Sequence, residues 1–375
     1  MIGWRGWAAL ALVAALAPAS AQRRAVPGTA RTAVADHRGV YVATGPLLNA
    51  RRGIPEAVYA RPLASGVYVR LVWAQVEPRP GAYDFSLLDA ELARAVRAGR
   101  KVSLSVQAGA RSPAWLADAG AETVRLATRQ GGVNRTCLPV AIPVPWDAGY
   151  QRAYARAMRA VADRVRATPG GWDAVRVVKL TGISRITEEL RLPVTAGANE
   201  CADDPSAAWR GAGYTPDRAV AAWTALSDGV ARAFPGKLLG QDVIERNDFP
   251  ATTGRGFDPS VKERIVAEGL RRYPRRFMVQ WNALTVDGPL GATPLRAKAR
   301  GAVLGWQTNA FRGLEGAGCN AERRGPPLAC DARSYAALVV RGPGSGAEYL
   351  EVWARDALRF PDAVRTADAR LRRGR

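Results

Sequence analysis

The sequence predicts an α/β fold, a single (β/α)8 TIM barrel with long, disulfide-tied loops. Eight short apolar runs recur along the chain, with amphipathic stretches between most of them. About 350 residues follow an N-terminal leader, a length that suits one such barrel, and no Ser-, Gly- or Pro-rich linker or fixed-period repeat divides them. An open doubly wound sheet fits less well, because no Gly-rich phosphate fingerprint follows the first strand.

The chain opens with Arg5, an apolar core from Ala8 to Ala17 and the small residues Ala19-Ser20-Ala21 before Gln22. That order is the mark of a secretory signal peptide whose core is too short to span a bilayer. Residues 1–21 are therefore expected to be removed, and 22–38 to form a leader into the barrel domain. No later stretch is long and apolar enough for stable membrane insertion. The expected location is outside the cytoplasm, secreted or periplasmic.

The first strand is predicted at Gly39–Thr44. The second rests on Val67, Val69, Leu71 and Trp73 alternating with Tyr68, Arg70 and Val72, an apolar run suited to a strand covered on both faces. Pro78, Pro80 and Gly81 break the chain. Ser86, with Asp89 three residues on, reads as a capping box for a helix from Leu87 to Ala98 that ends at Gly99. Lys101–Val106 is the third strand. The remaining five are Val175–Ile183, Lys237–Ile244, Arg276–Leu284, Gly301–Thr308 and Glu348–Trp353. Helices are predicted over Ala148–Ala167, Pro216–Ala233, Ser260–Arg271, a short segment at Leu295–Ala299, Ser334–Val340 and Pro361–Arg372. The active site of such a barrel lies at the C-terminal strand ends.

A formal charge of +21 raises the question of nucleic acid. The cations are almost all arginine and dispersed through an Ala/Arg/Gly-rich chain. Clusters at Arg271-Arg272, Arg275-Arg276, Arg323-Arg324 and the tail Leu371–Arg375 read as solvated faces and a frayed terminus. No nucleic-acid partner is expected; an acidic polysaccharide or an anionic envelope surface is the reading that stays open. The single histidine, His37, precedes the first strand, which argues against a Ser-His-Asp triad and excludes multi-histidine zinc hydrolases. No Walker loop or nucleophile elbow stands in the right context, and no cofactor is expected. Carboxylate, arginine and tryptophan are what remain, groups suited to sugar chemistry.

Of the cysteines, Cys319 and Cys330 bracket a Gly/Pro/Arg-rich loop and are expected to bridge locally, leaving Cys137 with Cys201. Three pairings are formally possible. A zinc site is the rival, but the spacings fit no metal knuckle.

The segment from Val69 to Asp89 resembles the second βα unit of glycoside hydrolases with the family 42 β-galactosidase-type TIM barrel. The matching residues are Arg70, Trp73, Glu77-Pro78, Pro80-Gly81, Tyr83-Asp84-Phe85 and Leu88-Asp89, followed by Ser112–Leu116 (SPAWL) after the third strand. The resemblance implies a general acid/base glutamate at the end of the fourth strand. Glu188, preceded by Thr187 and followed by Glu189, occupies that place. Two adjacent carboxylates raise each other's pKa, a property useful to a general acid, and Arg185 and Arg191 can hold the second one ionised. The implied nucleophile at the end of the seventh strand is absent: the strand offers Gln307 and Asn309, and no acid before Glu315. Glu351, on one face of the eighth strand with Tyr349 and Trp353, is the substitute, either as a catalytic carboxylate or as a structural ion pair with a partner such as Arg70. Glu188 and Glu351 would face each other across the barrel, which points to inversion rather than retention. Other strand-end acids are Glu77, which is structural in the motif it belongs to, Asp242, Glu245 and Asp287.

Trp73, Trp115, Trp281, Trp306 and Trp353 fall at or near C-terminal strand ends, where indole faces stack on sugar rings or simply fill the core. Gln107, Gln280, Asn282, Gln307 and Asn309 are placed to hydrogen-bond hydroxyls. Together these residues predict a secreted glycoside hydrolase acting on O-glycosidic bonds through paired carboxylates. A non-catalytic carbohydrate-binding barrel is the alternative, favoured by Gln307, and a basic envelope protein is a third.

Overall fold

The computed structural model describes residues 1, 36–45, 53–130, 136–184, 188–192, 204–244, 249–254, 256–311, 319 and 326–374, with backbone alone at 127–130 and 136–139. Residues 2–21 of the expected signal peptide, most of the expected leader, Arg185, Thr187, Cys201, Glu245 and Glu315 lie outside the described residues, and so does the side chain of Cys137. Val34–Arg375 forms one compact unit.

Its strands are β1 (Gly39–Ala43), β2 (Gly66–Val72), β3 (Lys101–Gln107), β4 (Thr123–Gln130), β5 (Thr136–Pro143), β6 (Val175–Lys179), β7 (Leu238–Val243), β8 (Phe277–Leu284), β9 (Val303–Thr308) and β10 (Tyr349–Trp353). Eight of them close into a barrel in the order β1-β10-β9-β8-β7-β6-β3-β2. Every barrel pair is parallel, including the closing pair, where Tyr41 sits opposite Glu351. The (β/α)8 TIM barrel is therefore the fold. The antiparallel hairpin β4–β5 is an addition that the sequence did not disclose: its second strand contains Pro139 and Pro143, which disguise a strand pattern.

Burial on both faces explains the apolar strand sequences. One face of each strand packs on the helices in a continuous core, with Val40, Val67, Val69, Leu104, Val178, Leu239, Val279 and Leu350 at 0–1% exposure. The other face lines the barrel. Its lower layer is Tyr41, Val177, Leu238, Met278 and Tyr349, with the Tyr41 and Tyr349 rings stacked 4.5 Å apart. Gly66 is required there. A Cβ at that position would lie 2.5 Å from the Tyr41 ring and 2.7 Å from the Lys101 carbonyl, so the floor closes only around a residue without a side chain.

Several helices start where side chains supply hydrogen-bond acceptors to the exposed N–H groups. Asp147 caps Ala148–Ala167, Thr215 caps Pro216–Ala233, Asp258 caps Pro259–Arg272 and Asp331 caps Ala332–Gly344. The capping box expected at Ser86 is not formed. Ser86 is the first helical residue, the Asp84 carboxylate accepts from its N–H at 2.9 Å, and Asp89 instead pairs with Arg164. No described helix is long and apolar enough to cross a membrane. Cys319 and Cys330 form the expected local disulfide.

Part of the large positive charge is explained at the N-terminal end of the barrel. Helix C-termini leave carbonyls without partners, and cations suit them. Arg166 and Arg276 donate to the carbonyls of Ala233 and Phe234 at the end of one helix. Lys237 donates to Trp172, and Arg100 to Ala64 and Arg61.

Gly66→Ala is expected to lower stability by about 1–3 kcal/mol, the usual cost of overpacking a close-fitted core. Chemical denaturation of the two proteins side by side measures it.

Candidate active site

One side-chain repeat above the aromatic floor, about 7 Å along the strands, the barrel lining turns polar. Lys179 of β6 stands at its centre, with no exposure. Its ammonium lies 2.7 Å from Asp242 Oδ1 on β7 and 2.9 Å from Glu351 Oε1 on β10, so those two oxygens are at most 5.6 Å apart. It also donates to Gln280 Oε1 on β8 at 2.7 Å. Glu351 is saturated by further donors. The Tyr349 hydroxyl reaches Oε1, while the side-chain amides of Gln280 and Gln307 reach Oε2 at 3.0 and 2.5 Å. Burying three ionisable groups together is tolerable only because each has a partner of opposite charge or a directed hydrogen bond.

Opposed effects set the protonation of this trio. Burial works to raise the Glu351 pKa, but Lys179 and Arg70 outweigh it, and hydrogen bonds from Tyr349 and Lys179 add to them; the carboxyl is held below its usual value. Burial likewise opposes charge on Lys179, and Asp242 and Glu351 overcome it, so the ammonium persists. At Asp242 burial prevails. Glu351 and Glu188 push the same way, Lys179 resists, and the carboxyl is pushed up to about 7.

A second buried ion pair closes the adjoining side. Glu188, 2% exposed, accepts a hydrogen bond from the Gln107 amide of β3 at 2.6 Å. Arg70 Nε of β2 stands 2.8 Å from the same Glu188 oxygen but off the N–H direction, so the contact is Coulombic more than directional. Arg70 donates to the Thr44 carbonyl at 2.5 Å, and its guanidinium lies 4.4 Å from the Tyr68 ring centroid and 5.3 Å from that of Trp353.

The turn carrying both glutamates is docked on the end of β7. Glu189 bridges Asp242 as a parallel neighbour, and Leu190 N–H donates to the Asp242 carbonyl at 2.8 Å. This brings the Glu189 carboxylate over the mouth. Asn282 Nδ2 of β8 reaches Glu189 Oε1 at 3.3 Å and Asp242 Oδ2 at 3.2 Å, so these oxygens lie within 6.5 Å of each other. Arg191 flanks Glu189 at 3.8 Å. Among the described carboxylates of this cluster, Glu189 alone retains appreciable side-chain exposure, 14% against 0–3% for Asp242, Glu351 and Glu188.

The residues read as site candidates thus divide. Trp73 and Trp306 are fully buried: the Trp73 N–H donates to Glu77 and its ring packs on Tyr150 and Tyr154, while the Trp306 N–H donates to Ser345. Sugar stacking by these two is ruled out. Trp115, Trp281 and Trp353 are half-buried, as are Asn282 and Asn309. Arg70, Gln107 and Gln307 serve the buried carboxylates. Glu77 accepts from Trp73 and from Gly81 N–H, the structural role expected for it. The partner suggested for Glu351 was Arg70; the ion pair is with Lys179 instead. Lys179 went unnoticed in a run of apolar residues, although Val177 and Lys179 alternate onto the lining side.

The fold is a closed (β/α)8 barrel whose mouth is lined by carboxylates. Residues 67–170 match the Glyco_hydro_42 family model, described as Beta-galactosidase, over β2, β3, the hairpin and the following helix. The chain resembles that family across this stretch, and the match supports a glycosidase-type function. Among solved structures it is similar to the catalytic domain of beta-amylase from Paenibacillus polymyxa, at TM-score 0.55 and 12% identity, covering 85% of this chain and 93% of that one. That likeness is one of fold. A psychrophilic glycoside hydrolase family 10 endo-beta-1,4-xylanase aligns at TM-score 0.46 and 13% identity, covering 85% and 86%. No match is found among curated proteins.

Lys179→Met leaves Glu351 buried without its cation and is expected to cost about 3–5 kcal/mol; adding Glu351→Gln should recover part of it, as urea unfolding of the single and double variants will show. Asp242 titrates higher in the folded chain than its ordinary 3.8, so its contribution to stability is complete below that pH and is lost as pH rises through about 7. Melting temperatures taken from about pH 4 to 8 should decline less steeply in Asp242→Asn than in the parent.

Proposed function

We propose that this protein is a secreted glycoside hydrolase that cleaves an O-glycosidic bond in a glycan entering the mouth of the barrel. The observation that carries the reading is the Glu189–Asn282–Asp242 bridge. It brings an accessible carboxylate within 6.5 Å of a buried carboxyl that holds its proton near neutrality. An ionised and a protonated carboxyl side by side are what glycoside hydrolysis needs, one to attack or activate water and the other to protonate the leaving oxygen. Glu189, with Arg191 beside it, is the accessible member, and Asp242 the proton donor. Glu188 and Glu351, the pair first suggested by the sequence, are buried and structural: Glu188 holds the turn against Arg70 and Gln107, and Glu351 fixes Lys179. Trp353, on the lining face of β10 with its half-buried indole 5.3 Å from the Arg70 guanidinium, supplies an aromatic surface for a sugar ring, whereas Trp281 packs on Trp306 in the helix layer. Export follows from the leader at residues 1–21, and the Cys319–Cys330 bridge suits an oxidising compartment.

Gln307 favours a second reading, a carbohydrate-binding barrel without catalysis, since it occupies the strand where the resemblance implies a nucleophile. The two separate cleanly. Glu189→Gln and Asp242→Asn should each lower hydrolysis of aryl glycosides by about 10²–10⁴-fold while glycan affinity, read by calorimetry, persists. A parent protein that binds glycans and hydrolyses none would establish the second reading instead.

A further inference from the structure

Three cations at the barrel mouth face carboxylates: Arg70 meets Glu188, Lys179 meets Asp242 and Glu351, and Arg191 meets Glu189. Arg111 has no carboxylate partner among the described residues. It ends the short 3-10 turn Gly109–Arg111 that follows β3, four residues after Gln107, whose amide holds Glu188. Gly109 makes the turn possible, with φ of 61°, a left-handed conformation that suits glycine, and so sets Arg111 on the rim rather than along the strand. The guanidinium is half-buried. Burial lowers its pKa, and no charge among the described residues offsets the loss. Its Nε is shut off from solvent and bonds to no acceptor among the described residues.

An N–H withdrawn from water without an acceptor is costly for a fold to keep. Other arginines show cheaper solutions: Arg164 has a carboxylate partner, and Arg166 and Arg276 have helix-end carbonyls. Four residues further on, the half-buried indole of Trp115 belongs to the same rim, held by a hydrogen bond from its N–H to the Glu77 carbonyl at 2.9 Å. A flat aromatic face and a planar fork of donors on one rim segment fit a particular ligand shape: a pyranose ring bearing a carboxylate.

We propose that the glycan recognised at this mouth is acidic, with a uronosyl residue whose carboxylate is received by Arg111 while its ring lies along Trp115. The inference rests on the glycan-acting reading of the site and narrows its substrate class. Bidentate geometry favours a carboxylate, because the two oxygens of that group match the two parallel N–H bonds of an arginine.

A panel of p-nitrophenyl uronides and the matching neutral hexosides, in both anomers, tests it on the full-length exported protein. The uronide is expected to be cleaved with kcat/KM at least about tenfold above its neutral counterpart. Arg111→Gln should reduce that ratio by about 10- to 100-fold, chiefly through KM, the range for a lost charge-assisted hydrogen bond, and Arg111→Lys should restore part of it. A parent protein that prefers the neutral sugar, or a ratio unmoved by Arg111→Gln in a variant with native melting behaviour, overturns the inference. Should the parent cleave nothing, the hydrolase reading fails and calorimetry with a tetrauronate and a neutral tetrasaccharide decides this one separately. Uronate-selective binding lost in Arg111→Gln upholds it. Equal binding of the two, no binding of either, or uronate binding that ignores Arg111 and falls steeply with salt overturns it, the last being diffuse attraction to a chain with 54 cationic residues.

Discussion

A single ammonium group organises the interior of this barrel. Lys179 projects from β6 into the space between β7, β8 and β10 and satisfies acceptors from all three. Without it Asp242 and Glu351 would repel across a low-dielectric interior, and both would have to take up protons or separate. With it, one stays ionised and the other rests near neutrality, two chemically different carboxyls made from similar side chains by environment alone. The strands carrying them belong to the same closed sheet, so their separation is fixed by barrel geometry rather than by loops.

The departure from the resembling family at β9 becomes intelligible in the same terms. A carboxylate at position 307 would face Glu351 where Gln307 now donates to it at 2.5 Å, and Lys179 is already engaged by two acids. The amide at 307 and the acid at 351 are thus one coupled arrangement. An additional negative charge in that layer would need an additional cation.

Much of the scaffold was legible in the sequence, because the strands of a buried parallel sheet announce themselves as apolar runs and the helices by their periodicity and prolines. All eight barrel strands fall within a few residues of the segments expected for them. The hairpin β4–β5 escaped notice because prolines interrupt it. Side-chain direction was harder. Trp73 and Trp306 stand near strand ends as a ligand platform would, yet both point into the helix layer, which linear spacing could not reveal where β2 passes straight into a helical turn at Trp73. Glu188 and Glu189 are neighbours in sequence with the same chemistry; only the docking of their turn on β7 sends one inward to Arg70 and the other toward the mouth. Lys179 and Arg111 carry no motif, and their importance comes from what surrounds or fails to surround them.

The cations at the N-terminal end of the barrel have a practical bearing on any effort to redesign this protein's charge. Arg166, Arg276, Lys237 and Arg100 each close a carbonyl that the helix or loop before a strand leaves open. Their positive charge belongs to the framework. An engineer seeking a less basic variant would therefore neutralise arginines on the outward helix faces and leave this end intact, where each replacement would expose a main-chain oxygen and loosen the junction between one βα unit and the next.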